Sequence, residues 1–224
     1  MKKVLFLLAV TVLFLQLSGI SQKSRVGLTA GITTSNMYGK DNGLEFKGTN
    51  RTGATFGMIV DAPIGKGNFS FQPGLHYIQK GKVISETVAE KKFLALNYSE
   101  LQLNFLYTTK TKIAVFAGAG PTVSFDLPSQ YVTKTSNATA ANLNPDPEFS
   151  RSERKVKFGK ETSDDFRGID FGLNALAGFK MKNGFFLALN FTYGYRNLAT
   201  SNTSTYSVRN SCMGARLGWL FNNK

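Results

Sequence analysis

From residue 25 onward the chain alternates apolar with polar or glycine positions at a period of two, and no stretch sustains the 3.6-residue period of an amphipathic helix. Eight segments follow from this alternation. In residues 25–34, Val26, Leu28, Ala30 and Ile32 share one face while Gly27, Thr29 and Gly31 share the other. Residues 52–61 set Ala54, Phe56, Met58 and Val60 against Gly53, Thr55 and Gly57, and residues 68–80 set Phe69, Phe71, Leu75 and Tyr77 against Ser70, Gln72, Gly74 and His76. Residues 94–107 end with Leu101, Leu103, Phe105 and Tyr107 opposite Glu100, Gln102 and Asn104, and a weaker pattern covers 112–126. The clearest alternation fills 166–180, 184–196 and 206–221, where rows such as Phe185, Leu187, Leu189, Phe191 and Tyr193 oppose Ala188, Asn190, Thr192, Gly194 and Arg196.

The connections alternate as well. Those at 62–67, 108–111 and 181–183 are short, the last leading into an Asn-Gly step suited to a tight hairpin, whereas 35–51, 81–93, 127–165 and 197–205 are long. Short turns at one end and long polar loops at the other predict a closed, antiparallel, up-and-down β-barrel of eight strands that spans a membrane. A hairpin within 127–165 would raise the count to ten. The cost of a charge facing lipid, roughly 2–4 kcal/mol at the midplane, decides which face points where. Glu100, Asp170, Lys180, Arg196 and Arg216 all lie on the parity opposite the apolar rows, so they point inward, together with most strand glycines. Tyr77, Tyr107, Phe179, Phe185, Tyr195 and Trp219, near segment ends, would form two interfacial girdles.

The N-terminus adds the compartment. Lys2 and Lys3 precede an apolar run from Val4 to Leu17, and Gly19 and Ser21 supply small residues for cleavage, so residues 1–21 read as a secretory signal peptide and 22–224 as the mature barrel domain. The formal charge of +13 becomes +11 on the mature chain, and the lone Cys212 excludes an internal disulfide. The aromatic-rich, 42% apolar composition excludes a disordered chain, and the absence of a second long apolar run excludes a polytopic helical membrane protein.

The stretches GLTAGITTSN, SFQPGLHYIQKGK, LNYSELQLNFLYTTK, FAGAGPTVSF, FGLNALAGFKMKNGFFLALNFTYGYRNLA and MGARLGWLF, in that order, resemble the small outer-membrane β-barrel "porin family" proteins of Bacteroidota. The resemblance implies a bacterial outer-membrane location, delivery by the barrel assembly machinery, and transport, as the family label suggests. One departure is that Phe221 is followed by Asn222, Asn223 and Lys224, so the terminal aromatic signal would be read from an internal position. An eight-stranded barrel has an interior that side chains just about fill, so a conducting pore is not expected.

Candidate chemistry is sparse. The inward set His76, Glu100, Gln102, Asp170, Arg196 and Arg216 reads as a polar network that fills the lumen. His76 is the sole histidine; a lipid-modifying enzyme would pair it with a serine and an acid, for which Ser124 and Asp170 are the nearest by topology, but no surrounding motif supports a triad. No metal-ligand spacing and no cofactor-binding motif occur, and catalytic residues are not assigned. The basic loop residues Lys80, Lys82, Lys91, Lys92, Lys134, Arg151, Arg154, Lys155, Lys157 and Lys160 would face outward. Lys82, Lys91, Lys92, Arg151, Arg154 and Lys155 are the candidates for contact with lipopolysaccharide phosphates. Nucleic acid is not an expected partner, because these charges are scattered over loops of an exported chain. The leading expectation is a monomeric, non-enzymatic barrel that is structural or binds an extracellular ligand through its loops, of which 127–165 carries six basic and six acidic residues. A small-solute channel, a membrane-embedded lipid-modifying enzyme and a soluble secreted barrel are its rivals.

Overall fold

The structure is a computed structural model that describes residues 24–136, 149–200 and 206–221; the leader segment lies outside the described residues. Ten strands follow one another: β1 (Arg25–Asp41), β2 (Leu44–Lys47), β3 (Arg51–Pro63), β4 (Phe69–Glu86), β5 (Glu90–Thr108), β6 (Ile113–Ser136), β7 (Phe149–Lys155), β8 (Ile169–Met181), β9 (Phe185–Gly194) and β10 (Ser207–Leu220). Eight of them pair antiparallel in the order β10-β9-β8-β6-β5-β4-β3-β1, and β1 closes the ring onto β10 over a ladder running from Gly27↔Leu220 to Lys40↔Ser207. Closure leaves the wall without an open edge, which is what a strand structure needs where no water can pair with its backbone.

β2 and β7 do not enter the wall. β2 folds back on the end of β1, with Tyr38 opposite Lys47, through an Asn42-Gly43 turn whose φ values of 49° and 82° are those of a type I′ hairpin. β7 lies beside the outer part of β6, from Gln130↔Lys155 to Ser136↔Phe149, so the alternative of a strand pairing within 127–165 is realised but adds no spanning strand to the eight. The largest difference from the sequence pattern is length. The expected loop 81–93 is instead strand on both sides, because β4 runs to Glu86 and β5 starts at Glu90, joined by a three-residue connection. Period-two patterning ends at the membrane boundary, whereas backbone pairing continues above it, where either face can be wetted. β4, β5, β6 and β7 therefore form a rim taller than the rest of the barrel.

The two faces divide as the parity predicted. Leu28, Ile32, Phe56, Phe105, Val115, Leu173, Leu189 and Leu217 are each at least half exposed on the outside. Such a continuous apolar girdle fits hydrocarbon and not water. Phe69, Tyr107 and Trp219 mark its turn end, where Phe69 meets Tyr107 edge-on with centroids 5.4 Å apart and Phe185 meets Trp219 at 6.5 Å. Tyr38 and Tyr193, stacked at 5.4 Å, mark the loop end.

Candidate functional site

The interior is layered along the barrel axis. At the turn end Ile59, Leu106, Phe116, Phe186, Ala188 and Leu220 form an apolar cluster, with the Phe116 and Phe186 rings edge-on at 6.3 Å. Inward glycines make room for these rings: a Cβ on Gly178 would stand 2.7 Å from Cζ of Phe116, and one on Gly218 would collide with the ring of Phe186. At the rim below, Lys180 donates to Asp61 at 2.7 Å and Arg25 lies 3.4 Å from the same oxygen.

The middle layer is polar. Register places His76, Glu100, Ser124 and Asp170 in one row across β4, β5, β6 and β8. Lys80 Nζ reaches Glu100 Oε2 at 2.5 Å, Ser124 Oγ donates to the same oxygen at 2.8 Å, and Gln102 Nε2 donates to Glu100 Oε1 at 2.7 Å. Arg216 then links to Gln102 Oε1 at 3.0 Å and to His76 Nε2 at 3.0 Å. Since an arginine nitrogen only donates, that geometry assigns Nε2 of His76 as acceptor and puts the ring proton on Nδ1. A second chain runs from Thr192 Oγ1 to Asn174 Oδ1 at 3.0 Å and from Asn174 Nδ2 to Asn104 Oδ1 at 2.9 Å. Lys80 and Arg216 balance Glu100 and Asp170 in charge, and all four are at most 5% exposed. Such matching is what allows ionised groups to stay inside a narrow, poorly hydrated interior.

At the loop end Met37, Ile78, Leu94, Leu96, Tyr98 and Val208 form a second apolar cluster, and chain from outside the wall enters it. Val156, Phe166, Leu198 and Ala199 all pack there. Backbone bonds tie them down: Val156 N to Ser129 O at 2.9 Å, Arg167 N to Leu198 O at 2.8 Å, and Leu198 N to Val208 O at 2.8 Å. Above them Arg154 grips Asp165 through two bonds of 2.9 and 3.1 Å, with the Lys157 N–H adding a third at 2.8 Å. Partial burial would raise the Asp165 carboxyl, but the Arg154 and Lys157 hydrogen bonds and charges outweigh it and hold the group below the ordinary aspartate range.

Of the six residues expected in the lumen, His76, Glu100, Gln102, Asp170 and Arg216 are buried inside; Asp170 pairs with Asn210 at 3.4 Å at the edge of the network. Arg196 is not among them. β9 ends at Gly194, the alternation stops with it, and the Arg196 guanidinium lies over the outward ring of Phe171 at 5.4 Å. Lys80, expected as a loop cation, is instead central to the network, because β4 continues past it with even positions inside. Ser124 and His76 are neighbours of the same network but bond to different groups, so the structure does not assemble the Ser-His arrangement weighed above. Among the described residues no cluster of three or more His, Cys, Asp or Glu is placed to hold a metal.

The outward basic candidates are mostly engaged within the protein. Lys82 sits over the Phe46 ring at 4.7 Å, Lys91 pairs with Glu86 and Lys92 with Glu90, each at 2.7 Å, Arg151 pairs with Glu153, and Arg154 with Asp165. Lys82, Lys91 and Lys92 also prove to be strand residues, not loop residues. Lys155 ends β7, opposite Gln130.

The family described as "Outer membrane protein beta-barrel domain" matches residues 16–200. No curated protein matches the chain. Among solved structures, Ail, the attachment invasion locus protein of Yersinia pestis, is 9% identical, covering 89% of this chain and 99% of its own, with a TM-score of 0.42. Neisserial surface protein A is 12% identical over 88% and 97% of the two chains with a TM-score of 0.44, and OprG of Pseudomonas aeruginosa 10% identical over 90% and 97% with 0.40.

Proposed function

We propose, for a chain that belongs to the outer membrane protein beta-barrel domain family and resides in the bacterial outer membrane, the role of a non-conducting, non-catalytic barrel that holds a raised β-rim at the cell surface. The observation that carries this reading is the layered interior. An apolar cluster at each end encloses a charge-balanced polar layer, and Val156, Phe166 and Leu198 cover the loop end. A solute entering would have to displace ring and aliphatic side chains at both ends and then pass paired charges. The rim of β4, β5, β6 and β7 is available for interaction at the surface, where recognition surfaces of rigid scaffolds concentrate. The paired rim charges favour a matched, mixed-charge protein or saccharide surface over a uniformly anionic one.

Single-channel recording in planar bilayers tests the reading. The natural chain is expected to give no discrete conductance. Phe116→Ala/Phe186→Ala combined with Phe166→Ala, which thins both apolar layers, is expected to give small, flickering openings. Steady conductance from the natural chain would overturn the proposal in favour of a small-solute channel.

A further inference from the structure

A cleft of about 790 Å3 opens on the outer surface of the barrel where β1, β2, β9 and β10 meet. Tyr38, Lys40, Lys47, Tyr193, Ser207 and Arg209 are among its lining. Its position is set by register. On β1, β9 and β10 the last well-exposed apolar side chains are Ile32, Phe191 and Met213, and the cleft begins immediately above them, at the loop end of the apolar girdle.

The walls are pre-formed. The Tyr38 and Tyr193 rings stack at 5.4 Å, and Tyr38 Oη donates to the Gly194 carbonyl at 2.9 Å, so the aromatic wall is fixed from two sides. Arg209 is held through Nε to the Tyr195 carbonyl at 3.1 Å, which leaves the terminal nitrogens of its guanidinium for another partner. The charge pattern differs from that of the rim. There, Lys82, Lys91, Lys92, Arg151 and Arg154 are matched by carboxylates or aromatic rings; here, among the described residues, Lys40, Lys47 and Arg209 form no ion pair, and Glu45 is the one acid in the lining. Three cations against a single carboxylate, Glu45 opposite Lys40, with aromatic faces and serine hydroxyls beside exposed aliphatic side chains, match an amphiphile with an anionic, hydroxyl-rich head. A free phosphate would fill only a corner of such a cleft.

We propose that this cleft binds the phosphorylated glycolipid of the outer leaflet. Lys40, Lys47 and Arg209 take the phosphate, the Tyr38 and Tyr193 faces and the Ser207 and Ser211 hydroxyls take the sugar, and the acyl chains run down over Ile32, Phe191 and Met213. The assignment goes beyond the closed-barrel role and rests only on the membrane location, so a conducting lumen would leave it untouched.

The test uses the full chain in detergent micelles, with bound lipid counted by native mass spectrometry after titration with bis-phosphorylated lipid A. Parallel titrations use dephosphorylated lipid A, phosphatidylglycerol and inorganic phosphate. Lys40→Gln/Lys47→Gln/Arg209→Gln is expected to weaken lipid A retention by about tenfold or more. Lys91→Gln/Lys92→Gln on the rim is expected to leave it unchanged. Heat-modifiable gel mobility reports that each variant is folded, and Lys47→Gln alone, on the exposed β2, serves if the triple variant is not. Equal retention by the triple variant, or equal retention of dephosphorylated lipid A, overturns the proposal. Equal retention of phosphatidylglycerol overturns the glycolipid assignment, and displacement of lipid A by inorganic phosphate at comparable concentration reduces the cleft to an anion site.

Discussion

Lys80 and Glu100 show how much a single side chain can depend on its neighbours in this barrel. Both are essentially inaccessible, 2% and 0% exposed, and each is tolerable only because the other is there, with Ser124 and Gln102 completing the carboxylate's partners. Breaking a buried pair by removing one member costs about 3–5 kcal/mol, far more than the pair contributes over an apolar replacement. Lys80→Met is therefore expected to lower unfolding stability by about that amount, and Lys80→Met/Glu100→Leu to recover part of it, as read by urea titration of the refolded barrel with gel mobility as the signal. The Glu100 side of this pair was legible in the alternation of β5, but the Lys80 side was not. It closes the segment 68–80 just before the expected loop 81–93, so on sequence alone it counts among the outward basic residues, and only the continued pairing Lys80↔Leu96 shows that it still faces inward.

At the scale of elements, residues 156–168 are held over the barrel mouth by the packing of Val156 and Phe166, by backbone bonds to Ser129, Asp126 and Leu198, and by the Arg154–Asp165 grip, which responds to pH. Because the Asp165 carboxyl sits below its ordinary value when folded, its contribution is present above the unfolded value near 3.9 and is lost as pH falls through the lower folded value. The cover should thus be indifferent to pH from neutrality to about pH 5 and loosen only in stronger acid. Cys212, buried beneath it in the same apolar cluster, is a built-in reporter. A pyridyl disulfide, which reacts with thiols into acid, is expected to modify Cys212 faster in Asp165→Asn than in the natural chain at neutral pH, and the two rates are expected to converge at the acid end. A constant ratio across the range would show that Asp165 does not secure the cover. The β2 hairpin, by contrast, carries a local signal of its own in Asn42-Gly43, a two-residue turn step within the expected loop 35–51.

For the whole molecule, the ring order and the division into turn end and loop end predict an orientation in the membrane, with the start of β1, the end of β10 and the short turns on the periplasmic side. Lys155→Cys on the rim should accept a membrane-impermeant maleimide on intact cells, whereas Lys110→Cys beside a short turn should do so only after the membrane is permeabilised. Cys212 should stay unmodified in both folded proteins, which makes the introduced thiol the measured one. Labelling of Lys110→Cys on intact cells would invert the topology and, with it, the leaflet assigned to the outer cleft.

The class, the eight spanning strands, the inward and outward faces and most of the lumen set are legible along the chain alone. Each of these depends on local periodicity and on the large cost of exposing a charge to hydrocarbon, and both leave their mark residue by residue. Features made between distant segments emerge only in the closed barrel. These are the link from Arg216 on the last strand to His76 and Gln102 on the fourth and fifth, the entry of Val156, Phe166 and Leu198 into the mouth, and the contrast between paired rim cations such as Lys91 and Lys92 and the Lys40, Lys47 and Arg209 set, which forms no ion pair among the described residues. Above the membrane boundary no solvent penalty enforces alternation, so the pattern along the chain no longer says which side chains meet, and closure of the ring alone brings them together.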